Sequence, residues 1–189
     1  MKLIEYIFEF DDLTNAKEIV FFGGSFNPWH EGHTTCIQLL SPHLPVVIIP
    51  DHNPFKDVVL DNDKLTSPAS IIQRVQHLNR NIFIYDGFLK LNQQNPTYKW
   101  IREVKEQLPM TKLSLLLGYD NFKSMHEWNE IKSLLADLKT IYVASRLEND
   151  REHAVVIQRL KDINPSLTIE LLGHHKYEHL SSTEFRSKK

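Results

Sequence analysis

Six short apolar runs alternate along the chain with segments of helical spacing. Each run is nearly continuous in apolar residues, which is typical of strands covered on both faces of a parallel sheet. The runs are Ile19–Phe22, Val46–Ile49, Ile82–Tyr85, Leu113–Leu117, Thr140–Ala144 and Leu167–Leu172. Alternating strands and helices predict an α/β fold, a Rossmann-like doubly wound parallel sheet with right-handed crossovers. In such a sheet, ligands bind beyond the carboxyl ends of the strands, where the strand order reverses.

The segments between these runs carry helix signals. Ser67 followed by Pro68 predicts a helix N-terminus, and Trp100, Val104 and Leu108 recur every four residues. A further stripe predicts one helix or two short ones, with apolar residues at Phe122, Met125, Trp128, Ile131, Leu134 and Leu135. The chain shows no internal repeat, low-complexity tract or linker, so we expect a single domain over residues 1–189.

Residues 1–17 are expected to form an N-terminal helical extension. Leu3, Ile4, Ile7 and Phe8 have the spacing of a short amphipathic helix. Acidic residues interrupt this segment, and no apolar run in the chain approaches the ~20 residues that a membrane span needs. We therefore interpret the segment as structural and expect no membrane partner.

Charge and cysteine content narrow the classes of function. Lys and Arg number 22 against 24 Asp and Glu, a net charge of -2. This balance argues against broad nucleic-acid binding, which needs a positive surface, although one small basic pocket remains compatible with it. The single cysteine, Cys36, allows neither an intrachain disulfide nor a thiolate zinc cluster, and favours a reducing cytoplasm.

The first predicted strand, Ile19–Phe22, runs directly into the segment GGSFNPWHEGH, residues 23–33. Gly23 and Gly24 permit a tight turn in which main-chain N–H groups approach a phosphate. At a helix start, His30 and His33 can face one spot, and Gly32 keeps that face open. A plain turn, a chance pair of histidines or a zinc pair are the alternatives, but the zinc motif H-E-x-x-H has a different spacing. The segment predicts an anion site.

GGSFNPWHEGH also resembles the phosphate-binding signature of the H-x-G-H nucleotidyltransferase superfamily. Within it, the segment is most similar to the nicotinate/nicotinamide mononucleotide adenylyltransferases. The resemblance implies that His30 and His33 contact the α- and β-phosphates of ATP. It implies ATP contacts for the residues around them as well: Gly23, Gly24, Ser25, Phe26 and Gly32. Asn27, a mononucleotide contact under the resemblance, replaces the aspartate of the bacterial nicotinate-preferring branch, whereas His30 matches that branch.

A second signature lies near the C-terminus, in LSSTEFR. Ser181 and Glu184 have the spacing of a capping box, so a helix is predicted to begin here, either as an ordinary capped helix or as an anion site. The run resembles the family's Ser-Ser-Thr segment, which implies that Ser182, Thr183 and Arg186 hold the β- and γ-phosphates. Family members usually continue beyond this helix, and the chain stops three residues after Arg186, so a short or clipped final helix is expected.

Two further segments follow predicted strands. Asn53-Pro54-Phe55-Lys56 resembles the family's Pro-Pro-His-Lys loop, which implies that Lys56 neutralises the attacking phosphate. Gly118-Tyr119-Asp120, with Trp128 downstream, resembles the family's G-x-D segment and its tryptophan. Asp120 would then hold a ribose or a magnesium-bound water, and Trp128 would contact the pyridine ring. From their positions alone, the same two residues fit a helix N-cap and a core position.

Two weaker matches complete the resemblance. Arg146 follows the strand TIYVAS, where the family has an arginine near the adenosine pocket. Thr97 and Tyr98 lie where the family has a Ser-Tyr-Thr element that helps to bind the mononucleotide, with Lys99 in place of the threonine. The resemblance therefore extends from Ile19 to Arg186.

The resemblance implies an enzyme that transfers the adenylyl group of ATP to nicotinate or nicotinamide mononucleotide and releases pyrophosphate. Because a phosphate is already a nucleophile, alignment and charge neutralisation suffice for catalysis. Mg²⁺ is expected to bridge the triphosphate through water and phosphate oxygens, since the sequence shows no dedicated carboxylate cage and no metal site of its own. ATP and a pyridine mononucleotide are the expected partners, and homo-oligomer formation stays open.

Other functions remain as alternatives. A pantetheine-phosphate adenylyltransferase or a cytidylyltransferase shares the superfamily, but the Gly23-Gly24 pair and the Gly118…Trp128 segment disfavour both. A class I aminoacyl-tRNA synthetase would need a longer chain. A nucleotide-binding regulator that has lost catalysis is compatible with Phe55, Lys99 and the short C-terminus. His30 favours nicotinate over nicotinamide as the substrate base.

Overall fold

The computed structural model describes residues 2–4, 11–51, 67–90, 95–144, 150–177 and 180. The strands in these residues are β1 (Lys2–Ile4), β2 (Glu18–Gly24), β3 (Val46–Pro50), β4 (Ile82–Tyr85), β5 (Lys112–Gly118), β6 (Leu138–Ala144) and β7 (Thr168–Leu171). They form one sheet in the order β1-β4-β3-β2-β5-β6-β7, and every pair of neighbours is parallel. All six predicted strands are present, and the predicted doubly wound α/β fold is confirmed.

The chain winds outward from β2 in two directions. It first crosses to β3 and β4, and after returning it continues through β5, β6 and β7 on the other side. The order therefore reverses between β2 and β5, which is where a doubly wound sheet opens a crevice for ligands. Both strands end in glycine, Gly24 and Gly118.

The helices in the described residues are α1 (Asp11–Thr14), α2 (Glu31–Leu39), α3 (Pro68–Val75), α4 (Thr97–Gln107), α5 (Tyr119–Ser124), α6 (Ile131–Asp137) and α7 (Asp150–Ile163). Helix α3 begins as predicted, with the Ser67 hydroxyl accepting a hydrogen bond from the Ser70 N–H at 3.1 Å. The stripe from Phe122 to Leu135 forms two short helices, α5 and α6, because Glu130 adopts a left-handed φ of 52° between them. None of these helices is long and apolar enough to cross a membrane.

The expected helical extension over residues 1–17 is wrong at its start. Lys2–Ile4 forms strand β1, in which Leu3 pairs with Ile84 of β4. Only Asp11–Thr14 is helical, and residues 5–10 lie outside the described residues. Two adjacent apolar residues fit a strand as well as a helical turn. Pairing with the edge of β4 favours the strand, because the main-chain N–H and C=O groups of that edge need hydrogen-bond partners.

Two apolar layers cover the faces of the sheet. On one face, helices α4, α6 and α7 bury Ile101, Leu135 and Leu160 against Phe21 and Ile141, all of them fully buried. On the opposite face, helices α2 and α3 pack against the strands through Ile37, Ile71, Val20, Ile48 and Leu116. Because β2 and β5 are covered on both faces, functional groups emerge only at their ends.

Phe122→Ala should destabilise the fold strongly. The Phe122 ring is 0% exposed in the larger apolar layer, so its removal should lower the free energy of unfolding by about 3–5 kcal/mol. Met110 is 92% exposed and serves as the matched control. Met110→Ala should change the free energy of unfolding by no more than about 0.5 kcal/mol. Urea denaturation followed by circular dichroism measures both values. Equal losses in the two variants would contradict the assignment of the core.

Candidate active site

The turn from Gly23 to His33 converts strand β2 into helix α2. His30 is the N-cap of α2, with an extended backbone at φ −137°. Its main-chain N–H donates a hydrogen bond to Nδ1 of His33, the third residue of the helix, at 3.2 Å. Because Nδ1 accepts, a neutral His33 carries its proton on Nε2. The turn thereby fixes Nε2 as the donor nitrogen of this imidazole.

The rings of His30 and His33 stack with their centroids 3.7 Å apart and their planes 20° apart. His30 is 6% exposed and His33 is half-buried, so the stack at the start of α2 has one buried and one partly accessible ring. The spacing of three residues predicted that both imidazoles face one spot, and the stack confirms this geometry. Their contacts with ATP stay a prediction.

Gly32 is required by the close approach of the His30 ring. A Cβ at this position would lie 2.9 Å from both Cε1 and Nδ1 of His30, and 3.4 Å from the carbonyl oxygen of Tyr177. A Cβ at Gly24 would meet the Phe26 ring at 2.9 Å, whereas at Gly23 the nearest atom is 4.0 Å away. Gly32 and Gly24 therefore make room for rings, and Gly23 leaves the end of β2 open to a ligand.

Phe26 supports this turn from beneath. It adopts a left-handed φ of 42°, which is strained for a bulky residue, and its ring is 3% exposed. The ring packs on Trp29 at 4.8 Å and on His33 at 5.1 Å between centroids. Trp29 in turn donates a hydrogen bond to the Thr34 hydroxyl at 2.9 Å. This packing sustains the strained backbone and fixes the His33 ring. The predicted ATP contact of Phe26 stays a prediction, and with the ring buried it would have to involve the main chain.

A cavity of about 420 Å³ opens at the carboxyl ends of β2, β3 and β5. This volume lies within the range of small-molecule sites, roughly 300–1,000 Å³. The structure brings several predicted site residues together in its wall: Gly23, Gly24, Ser25, Thr97, Tyr98 and Trp128. Phe88 and Trp100 add two more aromatic rings. The cavity thus joins the phosphate turn to the residues that were predicted to bind the mononucleotide.

Sequence reasoning missed four polar residues of the cavity wall, namely Asp51, Asn95, Asn121 and Asn129. The Asn95 amide donates to Oδ1 of Asp51 at 3.0 Å and so joins the end of β3 to the start of α4. Asp51 lies two residues after the end of the predicted strand Val46–Ile49, which was the available signal. The asparagines carried no signal, since they enter the wall only through the packing of α4, α5 and α6.

Asp120 and Asn27 lie near the cavity without being among the described residues that line it. Asp120 is an exposed residue in the first turn of α5. The N-cap of that helix is Gly118, so the alternative role of Asp120 as the cap is wrong. Asn27 is half-buried within the turn. Neither position tests the predicted contact with the mononucleotide.

Helix α5 is tied to α7 by a carboxylate. Glu152 Oε2 accepts hydrogen bonds from the Tyr119 hydroxyl at 2.9 Å and from Lys123 Nζ at 3.0 Å. The hydrogen bond from Lys123, followed by that from Tyr119, holds the pKa of Glu152 below its usual value. These contacts fix the start of α5, and with it Asn121 at the rim of the cavity.

Several predicted site residues, Lys56, Arg146, Ser182, Thr183 and Arg186, lie outside the described residues. The chain that leads to the Ser-Ser-Thr segment does reach the histidine turn, because the Tyr177 carbonyl lies over Gly32 and accepts from the Leu180 N–H at 3.0 Å. Within the described ranges, no group of three or more His, Cys, Asp or Glu residues could hold a metal ion.

Comparison with known proteins identifies the class. Residues 21–188 match the family model described as cytidylyltransferase-like. Proteins of Leptospira interrogans and Leptospira borgpetersenii, both named "Probable nicotinate-nucleotide adenylyltransferase", are 31% and 30% identical over 138 and 136 residues. The matches cover 68% and 66% of this chain and 67% and 66% of those relatives, about two thirds of their length.

The fold is also that of a solved structure, Plasmodium falciparum nicotinic acid mononucleotide adenylyltransferase complexed with NaAD. The TM-score is 0.65 at 19% identity, over 90% of this chain and 83% of that one, which shows the shared fold. The chain belongs to the cytidylyltransferase-like family and, within it, to the nicotinate-nucleotide adenylyltransferases.

Gly32→Ala should destabilise the protein although alanine is the better helix former. Helix propensity alone favours alanine by about 1 kcal/mol, but the new methyl group would clash with the buried His30 ring. We expect a net loss of about 1–3 kcal/mol in the free energy of unfolding. Gln38→Ala, at an exposed position of the same helix, is the control and should be nearly neutral. A Gly32→Ala variant that gains stability in urea denaturation would contradict the close approach.

Proposed function

We propose that this chain transfers the adenylyl group of ATP to nicotinate mononucleotide, forming deamido-NAD and pyrophosphate in NAD biosynthesis. The observation that carries the proposal is the turn at the end of β2, where the strand order reverses. This turn leads into the stacked His30–His33 pair, and its first residues, Gly23, Gly24 and Ser25, line the aromatic cavity. The family and the names of its members support the choice of substrate.

The transfer needs no nucleophile from the protein. A 5′-phosphate oxygen of the mononucleotide forms a bond to the α-phosphorus of ATP, and the bond from that phosphorus to the α–β bridging oxygen breaks. The electron pair leaves with pyrophosphate. Negative charge grows on the phosphate oxygens, and the Nε2–H of His33 and the N-terminus of α2 supply fixed donors and a positive dipole end for it.

The cavity suits a flat cationic ring with an anionic substituent. Aromatic faces attract a pyridinium ring, and the wall offers Phe88, Tyr98, Trp100 and Trp128. Thr97 and Tyr98 are the first residues of α4, whose first turn contains no acidic residue. A helix N-terminus favours an anion, which supports the carboxylate of nicotinate over the neutral amide of nicotinamide.

Mg²⁺ is proposed to arrive with the triphosphate. The donors that the described residues place at the turn are imidazole nitrogens and main-chain N–H groups, whereas Mg²⁺ prefers oxygen ligands and keeps several waters. Phosphate and water oxygens would therefore hold the ion, which neutralises charge on the triphosphate. Lys56, Arg146, Ser182, Thr183 and Arg186 are proposed as additional contacts to the substrates.

The single cysteine of the chain bears on the compartment. Cys36 is buried in helix α2. Such a thiol is compatible with a reducing environment, where disulfides are rare. We propose the cytoplasm as the place of the reaction.

A direct assay tests the function. The protein is incubated with Mg-ATP and, separately, with nicotinate mononucleotide, nicotinamide mononucleotide and phosphopantetheine, and pyrophosphate and the nucleotide product are measured. We expect the highest kcat/KM with nicotinate mononucleotide. ATP binding without turnover of either pyridine mononucleotide would refute the proposal.

His33→Ala should lower kcat at least about a hundredfold, the scale of losing one transition-state donor. Gln38→Ala, on an exposed position of the same helix, should keep kcat within about twofold, because it contacts neither substrate. Steady-state kinetics at saturating mononucleotide measures both. Near-normal turnover of His33→Ala would mean that the phosphates bind elsewhere.

Trp128→Ala should raise the KM for the mononucleotide by about tenfold, since stacking of a base on an aromatic ring contributes about 1–3 kcal/mol. The KM for ATP should change little, because the cavity lies on the opposite side of β2 from helix α2. Trp128→Phe keeps a ring and should recover most of the loss. A rise in the KM for ATP alone would contradict this assignment, because it would mean that ATP, and not the mononucleotide, binds in the cavity.

A further inference from the structure

Helix α2 carries the histidine pair at its first turn, and Arg80 holds its other end. One guanidinium nitrogen of Arg80, Nη1, donates to the Ile37 carbonyl and, at 3.3 Å, to that of Leu40. The other, Nη2, donates to the Ser41 carbonyl at 2.5 Å. The Ile37 and Ser41 carbonyls also accept main-chain N–H groups, from Leu40 and from Leu44, at 3.2 Å each. Arg80 therefore adds a charged donor to three carbonyls at or just beyond the end of the helix, where the regular helical partners run out.

The helix itself supplies only a main-chain cap, the Leu40 N–H that donates to the Ile37 carbonyl at 3.2 Å. Its last turn contains no basic residue, and its C-cap, Leu40, has an extended backbone in place of the usual left-handed glycine ending. A cation at this end also balances the partial negative charge of the helix dipole. Arg80 therefore performs from another part of the chain what a local lysine or glycine does in other helices.

The chain directs Arg80 to this place. Asn79 adopts a left-handed φ of 45°, which asparagine tolerates better than most residues, and it ends the short turn Gln76–Leu78. The Asn81 carbonyl accepts from the Val46 N–H at 2.9 Å, which anchors the segment to β3. Arg80 is half-buried, and burial lowers the pKa of its guanidinium, although an arginine stays protonated at neutral pH. The segment that carries Arg80 is thus attached to the sheet through the hydrogen bond between Asn81 and Val46.

We propose that Arg80 is a positioning residue for the phosphate site, acting through α2 on His33. The helix has nine residues, about 13 Å in length. A helix this short is marginal by itself, so its orientation depends on external restraints at each end. Fixing the last carbonyls to the sheet fixes the direction of the first turn, where the His30–His33 hydrogen bond sets the donor nitrogen. This inference rests on the proposed function only in its kinetic test.

Three variants separate this role from general stability. Arg80→Met removes the donors and the charge, and Arg80→Lys keeps the charge on a single nitrogen that cannot serve three carbonyls. Arg74→Met is the matched control. Arg74, in helix α3, forms an exposed ion pair with Glu31 of helix α2 at 3.6 Å. Exposed ion pairs of this kind contribute little to stability.

The first measurement needs no turnover. Hydrogen exchange of peptides covering residues 31–40 should accelerate about tenfold in Arg80→Met, because the helix opens locally more often. The dissociation constant for Mg-ATP should rise about tenfold, with Arg80→Lys between this variant and the wild type and Arg74→Met near the wild type. If Arg80→Met does not fold, Arg80→Lys carries the test.

The second measurement is a kinetic cycle. Arg80→Met should lower kcat/KM for ATP about tenfold and leave the KM for nicotinate mononucleotide within about twofold, a split that a general loss of stability would not give. In the His33→Ala background, adding Arg80→Met should cost about twofold or less, because the group through which it acts is already gone.

The outcomes are distinct. Unchanged exchange in α2 and unchanged ATP affinity in Arg80→Met overturn the inference, and so does a full tenfold loss on top of His33→Ala. If the wild type binds ATP but turns over neither mononucleotide, the proposed function fails, while the exchange and affinity data still decide the role of Arg80.

Discussion

The hydrogen bond from the His30 N–H to Nδ1 of His33 is the contact on which the site depends. It closes the first turn of α2, which follows the central strand after residues 25–30, and it assigns the proton of a neutral His33 to Nε2. Stacked imidazoles need the space that Gly32 leaves, and the aromatic rings of Phe26 and Trp29 hold His33 from below. One side chain therefore serves both as a helix cap and as the proposed phosphate donor, so any change that moves the helix start also moves the chemistry.

The two proposed substrate sites lie on opposite sides of strand β2. Helix α2 belongs to one apolar layer, while the cavity opens on the other, between the sheet, α4 and α6. The end of β2 at Gly23 and Gly24 is the part of the chain that both sites share. Displacement at phosphorus requires the attacking and leaving oxygens to approach in line. Under the proposed function, substrates that enter from opposite faces and meet at the glycine pair would fulfil that requirement, and the open space at Gly23 would serve it.

The sequence predicts most of the sheet and about half of the candidate site, for physical reasons. Strands buried on both faces are nearly continuous in apolar residues, so all six were recognisable. Strand β1 was not, because only its pairing with the edge of β4 distinguishes it from a helical turn. The histidine turn was local and therefore predictable, and the family resemblance added Thr97, Tyr98 and Trp128. Asn95, Asn121 and Asn129 become neighbours only through tertiary packing, which no local pattern records.

A chain with a net charge of -2 has to localise positive potential in order to bind the proposed triphosphate. In the described part of the site, the donors are the His33 imidazole and the amides of a helix start, which carry partial charges. Such dipoles stabilise growing charge only when their orientation is fixed before the substrate binds, since they are weak if free to turn. The need for fixed orientation gives a reason for two features of α2. Glycine at position 32 leaves room for the buried His30 ring, and Arg80 binds the carbonyls at the other end of the helix. In the described part of the site, the orientation of one short helix therefore matters as much as the identity of the donor groups.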